Sequence, residues 1–246
     1  MTAVPASTLD SELPEWGVGA IQRFRGDLES HDSPFPCTFA FAASQRGNLR
    51  FGFVESATDE STWEALPDVL GRYVADAHSI GRITSLVVFF RSSGLQRGLE
   101  WYEGRLWAVL RHLRAHDPEP WPSDLPRDPD DPRWEFAFAG EPIFVVCSTP
   151  AHRRRCSRRS SEMIITFQPR GVFEGLEAHT RRGDAARRTI RDRLSRYDAV
   201  PPSPVLGAYG QPDNREWQQY FLGDTNADSS TKGCPLRVDA PSTTTV

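Results

Sequence analysis

The chain has 246 residues, of which 38% are hydrophobic and 25% charged, with a formal net charge of −4. That composition suits one globular domain with ample core material, and the acidity excludes a molecule that is basic overall and binds nucleic acid through net charge. Four cysteines are too few for a disulfide framework in a chain this long, and no apolar run approaches the roughly 20 residues that span a bilayer.

In chain order, Met1 to Leu13 lacks the basic and apolar segments of a secretion signal, so a cytoplasmic protein with reduced thiols is expected. Residues 1–13 and 225–246, rich in Ser, Thr, Asp and Pro, read as disordered tails around a single domain at 14–224. Trp16, Ile21, Phe24 and Leu28 share a helical face. Pro34 and Pro36 break it, and Thr38–Ala43 with Leu49–Glu55, around Gln45-Arg46-Gly47-Asn48, then read as a hairpin. Ser61 and Glu64 suggest a capping box before the amphipathic positions Leu66, Val69, Leu70, Tyr73 and Ala77. Ile83–Phe90 reads as a buried strand and Leu99–Ala115 as a helix. Asp117–Pro132 carries six prolines and reads as a long surface loop.

Trp134–Ala139 and Pro142–Cys147 flank Gly140-Glu141 as a second hairpin. Met163–Phe167 is a further short apolar run stopped by a proline, and Ala186, Ile190, Leu194 and Tyr197 mark a last helix. Strands arriving in hairpins, with helices between them, predict an α+β fold whose mixed, largely antiparallel central sheet is flanked by helices. Neither a G-x-G-x-x-G nor a P-loop motif is present.

Between the last two strands lies Thr149-Pro150-Ala151-His152-Arg153-Arg154-Arg155-Cys156-Ser157-Arg158-Arg159, one imidazole among five guanidinium groups. The spacing Cys147-x4-His152-x3-Cys156 is a weak zinc signal without a C-x2-C pair. The arginines could equally form a solvated loop, touch nucleic acid, or pair with the carboxylates of a cofactor. His152 is fixed after a strand among cations that keep an imidazole neutral and able to ligate a metal. Cys37, between Pro36 and an expected strand, is the other candidate ligand. With no G-x-S-x-G turn, a hydrolase is disfavoured.

Several segments together resemble the YqcI/YcgG family: Pro34-Phe35-Pro36-Cys37-Thr38-Phe39-Ala40, Trp134-Glu135-Phe136-x-Phe138-x-Gly140-x-Pro142, Thr149-Pro150-Ala151-His152-x-x-Arg155-x-Ser157-Arg158, Phe167-Gln168-Pro169-Arg170-x-Val172-Phe173, and the block from Leu206 to Leu222. The resemblance runs from about residue 16 to 223. It implies a haem-dependent N-oxygenase of the kind that hydroxylates the guanidino group of arginine or a cyclic arginine derivative in D-cycloserine and guanitoxin biosynthesis. The implied cofactor is haem b, supplied by an external electron donor, a redox partner or peroxide. The implied partner is a small molecule carrying a guanidino or amino group, with neither nucleic acid nor membrane. On this reading His152 is the axial ligand, with Cys37 as the alternative. Arg155, Arg158 and Arg170 hold the propionates, and Trp134, Phe136 and Phe138 wall the porphyrin. Glu135, Glu141 and Glu216 are candidates to meet the substrate cation. Cys156 and Gly171 depart from the family pattern, where a basic residue and a Trp are expected. The alternative function is a non-catalytic haem- or small-ligand-binding protein.

Overall fold

The computed structural model describes residues 4–5, 13–177, 179–227 and 233–236. A six-stranded sheet has the order β1-β2-β3-β6-β5-β4. Its strands are β1 (Val4–Pro5), β2 (Leu49–Val54), β3 (Ser85–Phe90), β4 (Phe136–Phe138), β5 (Glu141–Ser148) and β6 (Met163–Pro169). Only β2 and β3 are parallel; every other neighbouring pair is antiparallel. A parallel pair needs a crossover, and helix α3 (Leu66–Ile80) provides it. The other helices are α1 (Glu15–Leu28), α2 (Thr38–Gln45), α4 (Leu99–Ala115) and α5 (Arg181–Tyr197). The fold is therefore α+β, with helices flanking a mixed sheet.

Side chains alternate across a strand, and the two faces of this sheet are covered unequally. One face is closed by α3 and α4: Leu86, Val88, Phe90, Ile143, Val145, Cys147, Ile165 and Phe167 join Leu70, Tyr73, Leu106 and Leu110 in the main core. On the opposite face α1 and α2 cover Phe51, Phe53, Val87, Phe89 and Ile164. Farther along that face Phe144, Val146, Ser148 and Thr166 are only half-buried, with Val146 opposite Thr166 in the register of β5 and β6.

Three local expectations are corrected. Thr38–Gln45 is a helix, not a strand, so the expected first hairpin does not form, and β2 pairs with β3 instead. The helix ends in a Schellman motif: Gly47 N–H donates to Ser44 O (3.0 Å) and Asn48 N–H to Ala43 O (2.9 Å), with Gly47 at φ +68°. Ser61 does not cap a helix. Asp59 accepts from Ser61 N at the head of a 3-10 turn, Glu60–Trp63, and α3 starts afresh with Pro67 in its first turn. The expected tails also carry structure: Val4–Pro5 pairs with β2, and Cys234 and Leu236 are buried in the main core. Residues 1–3, 6–12, 228–232 and 237–246 of those tails lie outside the described residues.

A Cβ at Gly47 would meet nothing within 4 Å, so substitution there tests backbone strain alone. Gly47→Ala is expected to lower stability by about 1 kcal/mol, the cost of a left-handed conformation for an L-residue. Gly47→Asn should cost less, since Asn tolerates that region. Urea denaturation of the three proteins measures both.

Candidate functional site

The basic loop between β5 and β6 is folded inward rather than displayed. His152 is 0% exposed. Its Nε2 lies 2.8 Å from Leu222 O and its Nδ1 2.9 Å from Thr149 Oγ1. A carbonyl can only accept, so Nε2 carries the proton and Nδ1 accepts from the threonine hydroxyl. Burial, more than the neighbouring Arg158 and Arg155, holds the ring's pKa below the ordinary histidine value, although the Leu222 bond and Asp224 oppose it. His152 is thus neutral, as expected of a ligand. Both ring nitrogens are nevertheless engaged, so the ring offers no free lone pair to a metal.

Asp224 fastens the same loop, its carboxylate accepting the backbone N–H groups of Arg153, Arg154 and Arg155. Burial works against that charge, but these three bonds hold its pKa below the usual carboxylate value. The Arg155 side chain is 1% exposed and donates to Gly223 O and Asn226 Oδ1, with Asp198 4.0 Å away. Its guanidinium ties the C-terminal segment to the loop and is not presented to a cofactor.

Arg158 differs. It is buried, donates to Gln219 O at 3.3 Å, and has no ion pair with any described carboxylate; its Nη1, like that of Arg155, lacks a hydrogen-bond partner. Burial, then the nearby Arg155, lowers its pKa to about 10, while Cys147, Asp198 and Cys37 act the other way. Cys37 stands at the N-cap of α2, its thiol facing the first backbone N–H groups of that helix without a side-chain cap hydrogen bond. Burial pushes this thiol's pKa up, while the backbone N–H groups of Ala40 and Phe39, then Arg158 and Arg193, pull it down. Phe39 and Phe144 both pack edge-to-face on Phe173, at 6.5 and 5.7 Å between centroids. Cys37 therefore opens the helix whose Phe39 ring reaches Phe173 and, through it, Phe144 on the half-covered face, and it lies in the field of buried Arg158.

The other predicted residues gather elsewhere. Arg170 donates through Nε to Glu135 Oε2 (2.7 Å) and through Nη2 to Glu216 Oε2 (2.5 Å), with its guanidinium carbon 3.7 Å from the Tyr209 ring centroid. Its fork is spent on two carboxylates, which removes it as a propionate anchor and removes Glu135 and Glu216 as free substrate ligands. Trp134, Phe136 and Phe138 are 0% exposed within the main core, Trp134 stacking on Trp121 and Phe136 packing on Phe167. Filling the core leaves them no surface for a porphyrin. Cys147 likewise faces the main core, where burial raises its pKa to about 12, and among the described residues no metal-ligand set gathers around it. Sequence reasoning missed Phe39, Phe144, Phe173 and Arg193. The alternation along Ile143–Ser148 was the available signal, since it puts Phe144 and Val146 on the face opposite Val145 and Cys147.

Two carboxylates on one guanidinium leave one negative charge uncompensated. Burial, then Glu216, pushes Glu135 well above the usual carboxylate range against the pull of Arg170, and burial raises Glu216 as well. The folded protein then holds a proton that the unfolded chain has released, so stability falls as pH rises above the ordinary Glu value of about 4.3. The denaturation midpoint should decline as the pH rises above about 4.3, and Glu135→Gln should flatten that decline. Chemical denaturation across the range reads the two slopes.

No solved structure matches the chain. The profile of the YqcI/YcgG family matches residues 24–237. "Uncharacterized protein YcgG" of Bacillus subtilis (strain 168) is 39% identical over 231 residues, covering 93% of this chain and 90% of its own. "Uncharacterized protein YqcI" of the same organism is 38% identical over 227 residues, covering 91% and 89%. A Streptomyces lavendulae protein described as "Putative N(omega)-hydroxy-L-arginine synthase DcsA" is 32% identical over 238 residues, covering 93% and 86%. With family motifs and three relatives spanning nearly its whole length, the chain belongs to the YqcI/YcgG family.

Proposed function

We propose that this protein is a haem-dependent N-oxygenase, hydroxylating a guanidino or amine nitrogen of arginine or an arginine-like metabolite. The observation that carries the reading is Arg158: a buried guanidinium without a carboxylate partner, close to a cysteine at a helix N-terminus. Burying an unpaired charge costs several kcal/mol, and an anion beside Cys37 offsets that cost. The name of the Streptomyces relative supports the reaction class.

The residues present fit haem at Cys37 and not at His152. Cys37 would ligate the iron, Arg158 would face the anionic groups, and Phe39, Phe144 and Phe173 would supply apolar walls. Bound haem would supply activation of dioxygen or peroxide, with electrons from an external donor or redox partner. The protein's own contribution is electrostatic. The α2 N–H groups and the Arg158 and Arg193 guanidiniums favour a charged sulfur. For the cationic substrate, Glu141 is the one of the three candidate carboxylates without an ion pair to a described residue. It is half-buried and raised by burial, then by Glu174, while His78 and Arg170 pull it down. Gly171 opens space near it: a Cβ there would approach nothing closer than Glu174 and His78 at 4.0 Å.

After reconstitution with haem the wild-type protein should show a Soret band and the red-shifted ferrous–CO band of thiolate ligation. Cys37→Ala should abolish that band. His152→Ala should retain it, with lower thermal stability from the lost clasp to Leu222. Absence of any Soret band sinks the haem reading; loss of the band in a folded His152→Ala protein moves the ligand to His152. Oxygen consumption stimulated by arginine or a related guanidine, in the presence of reductant, separates the enzyme from a non-catalytic binder.

A further inference from the structure

Beyond the ends of β2 and β3, the exposed loop at residues 91–98 stands between two hollows of about 640 and 300 Å³. Arg97, Arg153 and Arg159 line the larger hollow together with Ser160 and Ser161. All three arginines are exposed, and none forms an ion pair with a described residue. Asp27 is the only carboxylate in that lining, and it lies in the field of Arg159. Glu162 and Glu55 nearby are already held by Arg23 and Arg91. The hollow thus gathers positive charge in a molecule whose net charge is −4.

The smaller hollow has a different chemistry. Trp101, Phe90 and Met163 contribute to it, and Tyr102, Leu95 and Pro150 line both hollows. Trp101 meets Tyr102 edge-to-face at 4.8 Å, and the Arg97 guanidinium carbon lies 5.4 Å from the Trp101 ring centroid. Guanidinium groups suit phosphate through their planar fork, and an aromatic wall suits a flat, apolar ring. We propose that the two hollows together bind a nucleotide-like phosphate ester, its phosphates against Arg97, Arg153 and Arg159 and its ring against Trp101. The site depends on neither Cys37 nor a haem, so it stands or falls separately from the oxygenase reading.

Calorimetric titration of the full chain with ADP and with inorganic pyrophosphate tests it. ADP should bind more tightly than pyrophosphate, and both more weakly as salt is raised. An Arg153→Gln/Arg159→Gln double variant, which removes two exposed side chains, should weaken both by about tenfold or more. Trp101→Leu should weaken ADP alone, with a melting curve to establish that the variant is folded. Failure of both ligands to bind at millimolar concentration, or equal binding by wild type and the double arginine variant, overturns the proposal. Equal affinity of the wild type for ADP and pyrophosphate overturns the aromatic half, whatever Trp101→Leu does.

Discussion

Three arginines, Arg155, Arg158 and Arg170, enter the interior, and each brings a guanidinium whose five N–H groups need acceptors or counter-charge once removed from water. Most of those acceptors come from one stretch, residues 198–226. It supplies Asp198, Gly223 O and Asn226 for Arg155, Glu216 for Arg170, and the Gln219 carbonyl for Arg158. The same stretch clasps His152 through Leu222 O and the loop's backbone through Asp224. The C-terminal segment therefore holds the basic loop in shape, and the loop's positive charge is mostly consumed within the chain. Arg158 is the exception, because it receives a carbonyl where Arg155 and Arg170 receive carboxylates.

That exception acquires meaning from the layering. Helices α3 and α4 close one side of the sheet across its width, but α1 and α2 close the other only over β2, β3 and the Ile164 end of β6. The half-covered strip on β5 and β6 carries Phe144, Val146 and Thr166. Helix α2 brings Cys37 toward Arg158, and the 3-10 turn after β6 brings Phe173 against Phe144. A sheet normally hides its apolar face against another layer. Here the missing part of the layer coincides with an unpaired cation and a half-buried thiol, which is why the proposed cofactor is assigned to this side.

The strands from β2 onward and the four long helices α1, α3, α4 and α5 were legible because hydrophobic period and proline stops are local signals. The helix α2 was not. Thr38-Phe39-Ala40-Phe41-Ala42-Ala43 alternates large and small residues in a way that mimics a strand. Its helical outcome rests on small helix-forming residues and on the left-handed cap at Gly47. The roles of the site residues were legible only in part, since charge and type are local but partners are not. His152 meets Leu222 across 70 residues, and Arg155 meets Asn226 across 71. Trp134, Phe136 and Phe138 looked like a cofactor wall because a three-residue strand is too short to show which side its rings serve. All three serve the main core.

Arg158 and Arg159 are adjacent in sequence yet differ in environment. Arg158 closes the 3-10 turn Cys156–Arg158 and is buried beside Cys37. Arg159 is extended, bridges in parallel to Thr149, and lines the larger hollow by the 91–98 loop. Backbone bonds fix the pair tightly: Thr149 N–H donates to Arg158 O at 2.9 Å, and Ser160 N–H donates to Thr149 O at 3.2 Å. The turn at 156–159, held on one side by Asp198 through Ser157 and on the other by Thr149, fixes that division, with Arg158 turned into the interior and Arg159 left at the surface.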